Sequence, residues 1–144
     1  MGKFASGRFS MKNPDKYVGG RTPLYRSSWE FAFMKFCDES PSISKWASES
    51  ISIPNRHPFT GKFTIYVPDL FIAYEDKNGK PHAEVIEIKP ENQTLVEKAK
   101  GRMNQGQLIV NKAKWQSAQA YCKNKGLRFR IVNEKDLFHQ GKRR

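Results

Sequence analysis

From Thr22 onward the apolar positions fall at helical spacing. Leu24, Trp29, Phe33 and Phe36, with Phe31 and Met34 beside them, form a wide stripe that runs to Asp38. Thr22 before Pro23 suits an N-cap followed by a first-turn proline, and Glu39-Ser40-Pro41 ends the segment. The period then shortens. Between Trp46 and Pro54, Ile51 and Ile53 alternate with Ser50 and Ser52, the spacing of a strand. Asn55 to Gly61 reads as a loop, and Lys62 to Tyr74, rich in Phe, Ile, Tyr and Val, as a second strand. Asp76-Lys77-Asn78-Gly79-Lys80 predicts a tight turn, because Asn-Gly accepts the positive φ such a turn needs. His82 to Lys89 is the returning strand, stopped by Pro90. Helical spacing resumes at Thr94 with Leu95, Ala99 and Met103, weakened by Gly101 and Gly106. It is clearer from Asn111 to Lys125, where Trp115, Ala118 and Cys122 share a side and Gly126 suits the helix end. Leu127 to Val132 alternates again, and Asn133 caps a last short helix through Phe138.

This order, helix, three strands, helix, strand (αβββαβ), predicts an α/β domain: a mixed sheet of about four strands with a helix on each face. The domain spans 23–139. Residues 1–22 form a basic arm without helical or strand period, pinned by Phe4, Phe9 and Tyr17, and 140–144 form a basic tail.

Charge narrows the partners. The 144 residues hold 26 Lys and Arg against 14 Asp and Glu, a net charge of +12. Residues 1–50 carry +3, residues 51–90 carry 0 and residues 91–144 carry +9. A basic face beside a neutral middle points to a polyanion, of which nucleic acid is the commonest. No apolar run approaches the roughly 20 residues of a membrane span, and no apolar segment of a signal peptide follows Met1. Cys37 and Cys122, with no CxxC, exclude a disulfide scaffold and a cysteine zinc site. Two free buried thiols are expected, a single disulfide being the alternative. No GxxxxGK phosphate loop is present.

The acids of the neutral middle carry the candidate chemistry. Pro68-Asp69 and Glu87-Ile88-Lys89 lie on the two arms of the predicted hairpin. A three-residue loop, Lys77-Asn78-Gly79, sets Asp76 opposite Lys80 and Asp69 opposite Glu87, on one face; a two-residue loop moves the partners one step. Glu87 and Lys89, two apart on a strand, point the same way. Two carboxylates and an ammonium thus converge. Like charges side by side are costly unless a cation sits between them, and a hard divalent cation with oxygen ligands, Mg²⁺ or Mn²⁺, suits the pair, with the Ile88 carbonyl as a further ligand. The alternative is an ordinary hairpin with a cross-strand ion pair. Glu30, inside the most hydrophobic helix, is either on a solvated face or aimed at the same ion. Arg26 and Ser27 suit a phosphate contact or a helix cap, and Lys98, Lys100, Arg102, Lys112 and Lys114 suit a DNA backbone track or a solvated face.

These residues resemble the PD-(D/E)xK nuclease superfamily. More narrowly, Tyr25-Arg26-Ser27-Ser28-Trp29-Glu30 is similar to the opening motif of TnsA-type transposon endonucleases and T4-type phage head completion nucleases. The second likeness extends over Lys12-Asn13-Pro14, Trp46 with Ser48-Glu49, Ile53-Pro54, Glu87-Ile88-Lys89-Pro90, Lys114-Trp115 and Phe129-Arg130-Ile131. It covers Lys12 to Leu137, apart from Asn92 to Ile109, which do not align. The resemblance implies a restriction-endonuclease-like core with Glu30, Asp69 and Glu87 as metal ligands and Lys89 as the catalytic lysine. Glu49 opens the first strand beside them as a further ligand or a hydrogen-bond acceptor. The resemblance also implies a Mg²⁺-dependent deoxyribonuclease acting on double-stranded DNA in phage head completion. Portal or neck proteins would be its partners, with no membrane association, in the host cytoplasm during assembly and then at the virion head and neck. A structural DNA-binding neck protein that does not need cleavage, and a TnsA-like or resolvase-like nuclease of transposition or repair, are the alternatives.

Overall fold

A computed structural model describes residues 6–89 and 102–133, with side chains from 106 onward in the second segment. The elements are β1 (Gly7–Arg8), a 3-10 turn (Pro14–Lys16), β2 (Leu24–Tyr25), α1 (Ser28–Glu39), β3 (Ile43–Ser48), β4 (Ile53–Arg56), β5 (Phe63–Tyr66), β6 (Leu70–Glu75), β7 (Pro81–Ile88), α2 (Arg102–Lys125) and β8 (Arg128–Val132). Four strands form one sheet in the order β3-β6-β7-β8. The β3–β6 and β6–β7 pairs are antiparallel, and β8 lies parallel to β7 after the crossover through α2. The core is thus α1-β3-β6-β7-α2-β8, the predicted order, with a separate β4–β5 hairpin set between its first two strands.

Several boundaries differ from the sequence reading. α1 begins at Ser28 rather than after Thr22, because the side chain of Ser27 accepts from the Glu30 N–H at 3.1 Å and caps the helix there. Leu24 and Tyr25 instead pair with Arg8 and Gly7. The extended run after Trp46 is two strands, parted at Glu49, whose φ of 48° leaves the strand region. β4 continues to Arg56, into the segment read as a loop. Lys62 to Tyr74 is also two strands, parted at Val67-Pro68-Asp69, where buried Pro68 has no N–H for a ladder. α2 is continuous from Arg102, so Gly106 is tolerated inside it. The helix from Thr94 to Gly101, the last helix after Asn133, the tail 140–144 and Phe4 lie outside the described residues.

The sheet has two different faces. Trp46, Leu70, Ile72, Ile86 and Val132 pack with Phe33, Met34 and Cys37 of α1 into the main core. Segment 6–22 joins this core. Phe9 is buried against Trp46 at a ring separation of 5.7 Å, and Tyr17 packs on the same indole at 4.8 Å. Buried Asp38, in the last turn of α1, accepts from the Lys12 and Asn13 N–H groups at 2.8 and 3.0 Å, so a helix carboxylate fastens the segment. On the opposite face a smaller core of Ile53, Tyr66 and Ala118, with Trp115 and Phe129 around it, holds the β4–β5 hairpin on α2. Asn55, buried, accepts from the Ser117 hydroxyl at 2.8 Å across that contact. Both cysteines are free and buried, and burial raises both thiol pKa values.

Candidate active site

The turn between β6 and β7 fixes the register. The Asp76 N–H donates to the Lys80 carbonyl at 3.0 Å and Gly79 takes φ 78°, so the loop has three residues. Leu70 then pairs with Ile86. Carried one step beyond the end of β6, this register sets Asp69 opposite Glu87, on the sheet face turned toward α2. The Asp69 Oδ2 accepts from the Ile88 N–H at 2.7 Å. The Glu87 Oε1 accepts from the Tyr66 hydroxyl at 2.7 Å. The Lys89 N–H donates to the Val132 carbonyl at 2.8 Å, which extends the β7–β8 pairing to the lysine.

Burial and mutual repulsion govern these acids. The Asp69 carboxyl is pushed up to about 7, first by burial and then by Glu87, with Glu30 and Glu49 adding to the effect; the Ile88 N–H pulls the other way. Burial also pushes the Glu87 carboxyl up, while the Tyr66 hydroxyl, Lys89 and Lys114 pull it down and Glu30 opposes them. The Tyr66 hydroxyl is itself pushed up by burial and by Glu87.

Glu30 and Glu49 reach the same region from other elements. Glu30 sits in the first turn of α1, and its Oε1 accepts from the Arg26 N–H at 3.0 Å, answering the Ser27 cap in the manner of a capping box. Glu49 is tied to the site through its backbone, whose N–H donates to the Asp69 carbonyl at 2.9 Å. Its carboxylate takes both ends of the Arg26 guanidinium, at 2.5 and 3.2 Å. A cleft of about 510 Å³ opens beside Glu49, lined by Arg21, Ser48, Ser50, Ser52 and Val67. Each acid thus already has a hydrogen-bond donor, and among the described residues no three acidic, imidazole or thiol groups are grouped to hold one ion in this arrangement.

Of the residues singled out in the sequence as DNA contacts, Arg26 is paired to Glu49 and Ser27 is the helix cap. Lys114 comes to the site itself: its ammonium lies 5.9 Å from the Tyr66 ring centre and its charge acts on Glu87. Lys112 is exposed on α2, while Lys98, Lys100 and the side chain of Arg102 lie outside the described residues. Tyr66 was not legible as a site residue. Its contact depends on β5 leaving the sheet, and the strand-like residues on both sides of Pro68-Asp69 hide that break in the sequence.

The comparisons with known proteins bear on this geometry. The family described as TnsA-like endonuclease N terminal matches residues 40–134, the span from the end of α1 through β8. The chain is also 36% identical over 143 residues to the head completion nuclease of Enterobacteria phage T4, with 92% of this chain and 93% of that protein covered. The chain belongs to the head completion nuclease family. Its mixed four-stranded sheet with flanking helices is the restriction-endonuclease-like core expected of that family. Asp69, Glu87 and Lys89 lie inside the span matched by the TnsA-like family, and Glu30 lies ahead of it in α1.

Proposed function

We propose that this nuclease hydrolyses phosphodiesters in double-stranded DNA with the help of a divalent cation, Mg²⁺ or Mn²⁺. The observation that carries the reading is the meeting of Asp69 and Glu87 on one sheet face, with Lys89 two residues on. Oxygen donors suit a hard cation, and two partly buried carboxylates whose ionisation is resisted are the environment a dication stabilises. Asp69, Glu87 and Glu30 are the proposed ligands, with the Ile88 carbonyl and Glu49 as additional oxygen donors.

When bound, such a cation polarises the scissile phosphate and lowers the pKa of the attacking water. The chain's own residues supply the positioning. The Ile88 N–H holds Asp69 and the Tyr66 hydroxyl holds Glu87, which fixes the direction of both carboxylates. The Lys89 ammonium orients the water for in-line attack and offsets the charge that grows on the phosphate oxygens. Arg26, Ser27, Lys98, Lys100, Arg102, Lys112 and Lys114 are the proposed contacts to the DNA backbone, Lys114 from beside Glu87.

The setting proposed is phage head completion, with portal or neck proteins as assembly partners, in the host cytoplasm and then in the virion head and neck. The likeness over nearly the full length of the T4 protein favours this setting over transposition. No helix among the described residues is long and apolar enough to cross a membrane. The test is incubation of supercoiled and linear duplex DNA with Mg²⁺, Mn²⁺ or chelator. Cutting that needs the cation supports the reading, and cutting undiminished by chelator contradicts it. Co-purification with portal or neck proteins from infected cells tests the setting, and recovery with neither would overturn it.

A further inference from the structure

The β4–β5 hairpin has two unlike faces. Inward, Ile53, Asn55 and Tyr66 are buried on α2. Outward, Phe63, Ile65 and Val67 alternate with them at 67%, 60% and 40% exposure. Their cross-strand partners are known: Arg56 faces Phe63 and Pro54 faces Ile65. The Arg56 guanidinium lies over the Phe63 ring at 5.4 Å. A row of large apolar side chains this exposed is unusual on a soluble surface and marks a contact site.

Two features identify what covers it. The first is charge. Between Glu49 and Asp69 the chain has no acidic residue, while Arg56 and Lys62 are basic. A surface that combines apolar side chains with only positive charge is matched to a polyanion that also has apolar edges, as DNA has in its sugars and bases. The second is continuity. Val67 ends the row and also lines the cleft beside Glu49, and Asp69 follows two residues later. A duplex seated at the acids therefore has the row alongside it.

The geometry points to the outward face of the β4–β5 hairpin as a DNA-binding ribbon: Phe63, Ile65 and Val67 lie against the sugar and base edges of duplex DNA flanking the scissile phosphate, with Arg56 and Lys62 on its phosphates. This rests on the nuclease reading above and extends it from the reacting acids to the grip on substrate. A two-stranded ribbon is also of a width that a DNA groove admits.

The test is binding of a short labelled duplex in chelator, followed across a salt series, beside duplex cutting with Mg²⁺. The proteins are wild type, the pair Phe63→Ser with Ile65→Ser, and the pair Arg56→Ala with Lys62→Ala. Phe63, Ile65 and Arg56 lie on the outward face and Lys62 is exposed next to Phe63, and unchanged thermal melting checks that both variants are folded. The apolar pair should weaken binding about tenfold or more, with the salt slope unchanged, since apolar contacts release no counterions. The basic pair should lower the salt slope by roughly two. Wild-type affinity in the apolar pair, while the wild type still cuts DNA, overturns the ribbon and leaves the nuclease reading standing. A wild type that neither binds nor cuts DNA overturns both. If sedimentation shows a wild-type dimer that the apolar pair makes monomeric, with DNA affinity unchanged, the face is a contact between copies and the ribbon is overturned.

Discussion

The smallest-scale result is that the acids of the site are held by donors that are not themselves acids or metals. Tyr66 is the clearest case, a buried hydroxyl aimed at Glu87 from a hairpin outside the main sheet. Removing that hydroxyl frees Glu87 to turn while leaving the ring to pack. Tyr66→Phe should therefore weaken Mn²⁺ affinity by about tenfold, within the range for partners of metal-binding side chains. Calorimetric titration reads this directly, and unchanged affinity would show that Tyr66 only packs. Asp38 makes a structural counterpart. Its buried carboxylate accepts two backbone N–H groups from the N-terminal segment. Asp38→Ala strands both donors and should cost about 3 kcal/mol in urea unfolding. A loss below about 1 kcal/mol, the level of an ordinary exposed pair, would contradict that role. These residues also show what a sequence hides. Asp69, Glu87 and Lys89 follow from a turn and a two-residue period, which are local. Asp38 and Tyr66 act through contacts 26 and 21 residues away in sequence, and no period signals them.

At the scale of elements, the β6–β7 hairpin carries the site, and its turn is built around one carboxylate. Asp76 Oδ1 accepts from the Asn78 and Lys80 N–H groups at 2.9 and 3.0 Å, and its Oδ2 meets the His82 ring at 2.8 Å. The His82 contact first, and then the Lys80 N–H, hold its carboxyl down to about 2. A carboxyl lowered on folding adds stability that is complete above its unfolded value of about 3.9 and is lost as pH falls through its folded value. Stability should thus decline between about pH 4 and pH 2 from this group, and Asp76→Asn should remove that portion of the decline. Titration of the Asp76 carboxyl by NMR checks the cause, and a midpoint near 4 would contradict it. The turn was legible because Asn-Gly has one strong preference. The helix start was not. Thr22-Pro23 and Ser27 are both good caps, and the choice fell to Ser27 because Leu24 and Tyr25 are taken by pairing with β1. The β4–β5 hairpin was missed for a related reason: Ile53 and Tyr66 have strand character in either sheet, and only packing on α2 decides which.

At the scale of the molecule, a chain of charge +12 turns Asp69 and Glu87 to one sheet face, where Glu30 and Glu49 add to the negative charge felt by Asp69. In the proposed reading the acids mark where a cation and a phosphate meet, and the surrounding positive charge draws the polyanion to them. DNA affinity should therefore fall steeply with salt, by about tenfold or more between 50 and 200 mM, if several phosphates are contacted. Fluorescence anisotropy across that range reads the slope, and a flat response would contradict a charge-led grip. The family places this chain among nucleases, and the architecture that family expects is the one the hydrophobic pattern outlines. More narrowly, we propose that Asp69 and Lys89, on facing arms of one hairpin, perform the cutting. The most direct measurement is cleavage of duplex DNA with Mg²⁺ by wild type, Asp69→Ala and Lys89→Ala, with DNA binding measured in parallel. Each substitution should lower the cutting rate by about a thousandfold or more while binding is retained. Cutting at the wild-type rate by either variant would contradict it.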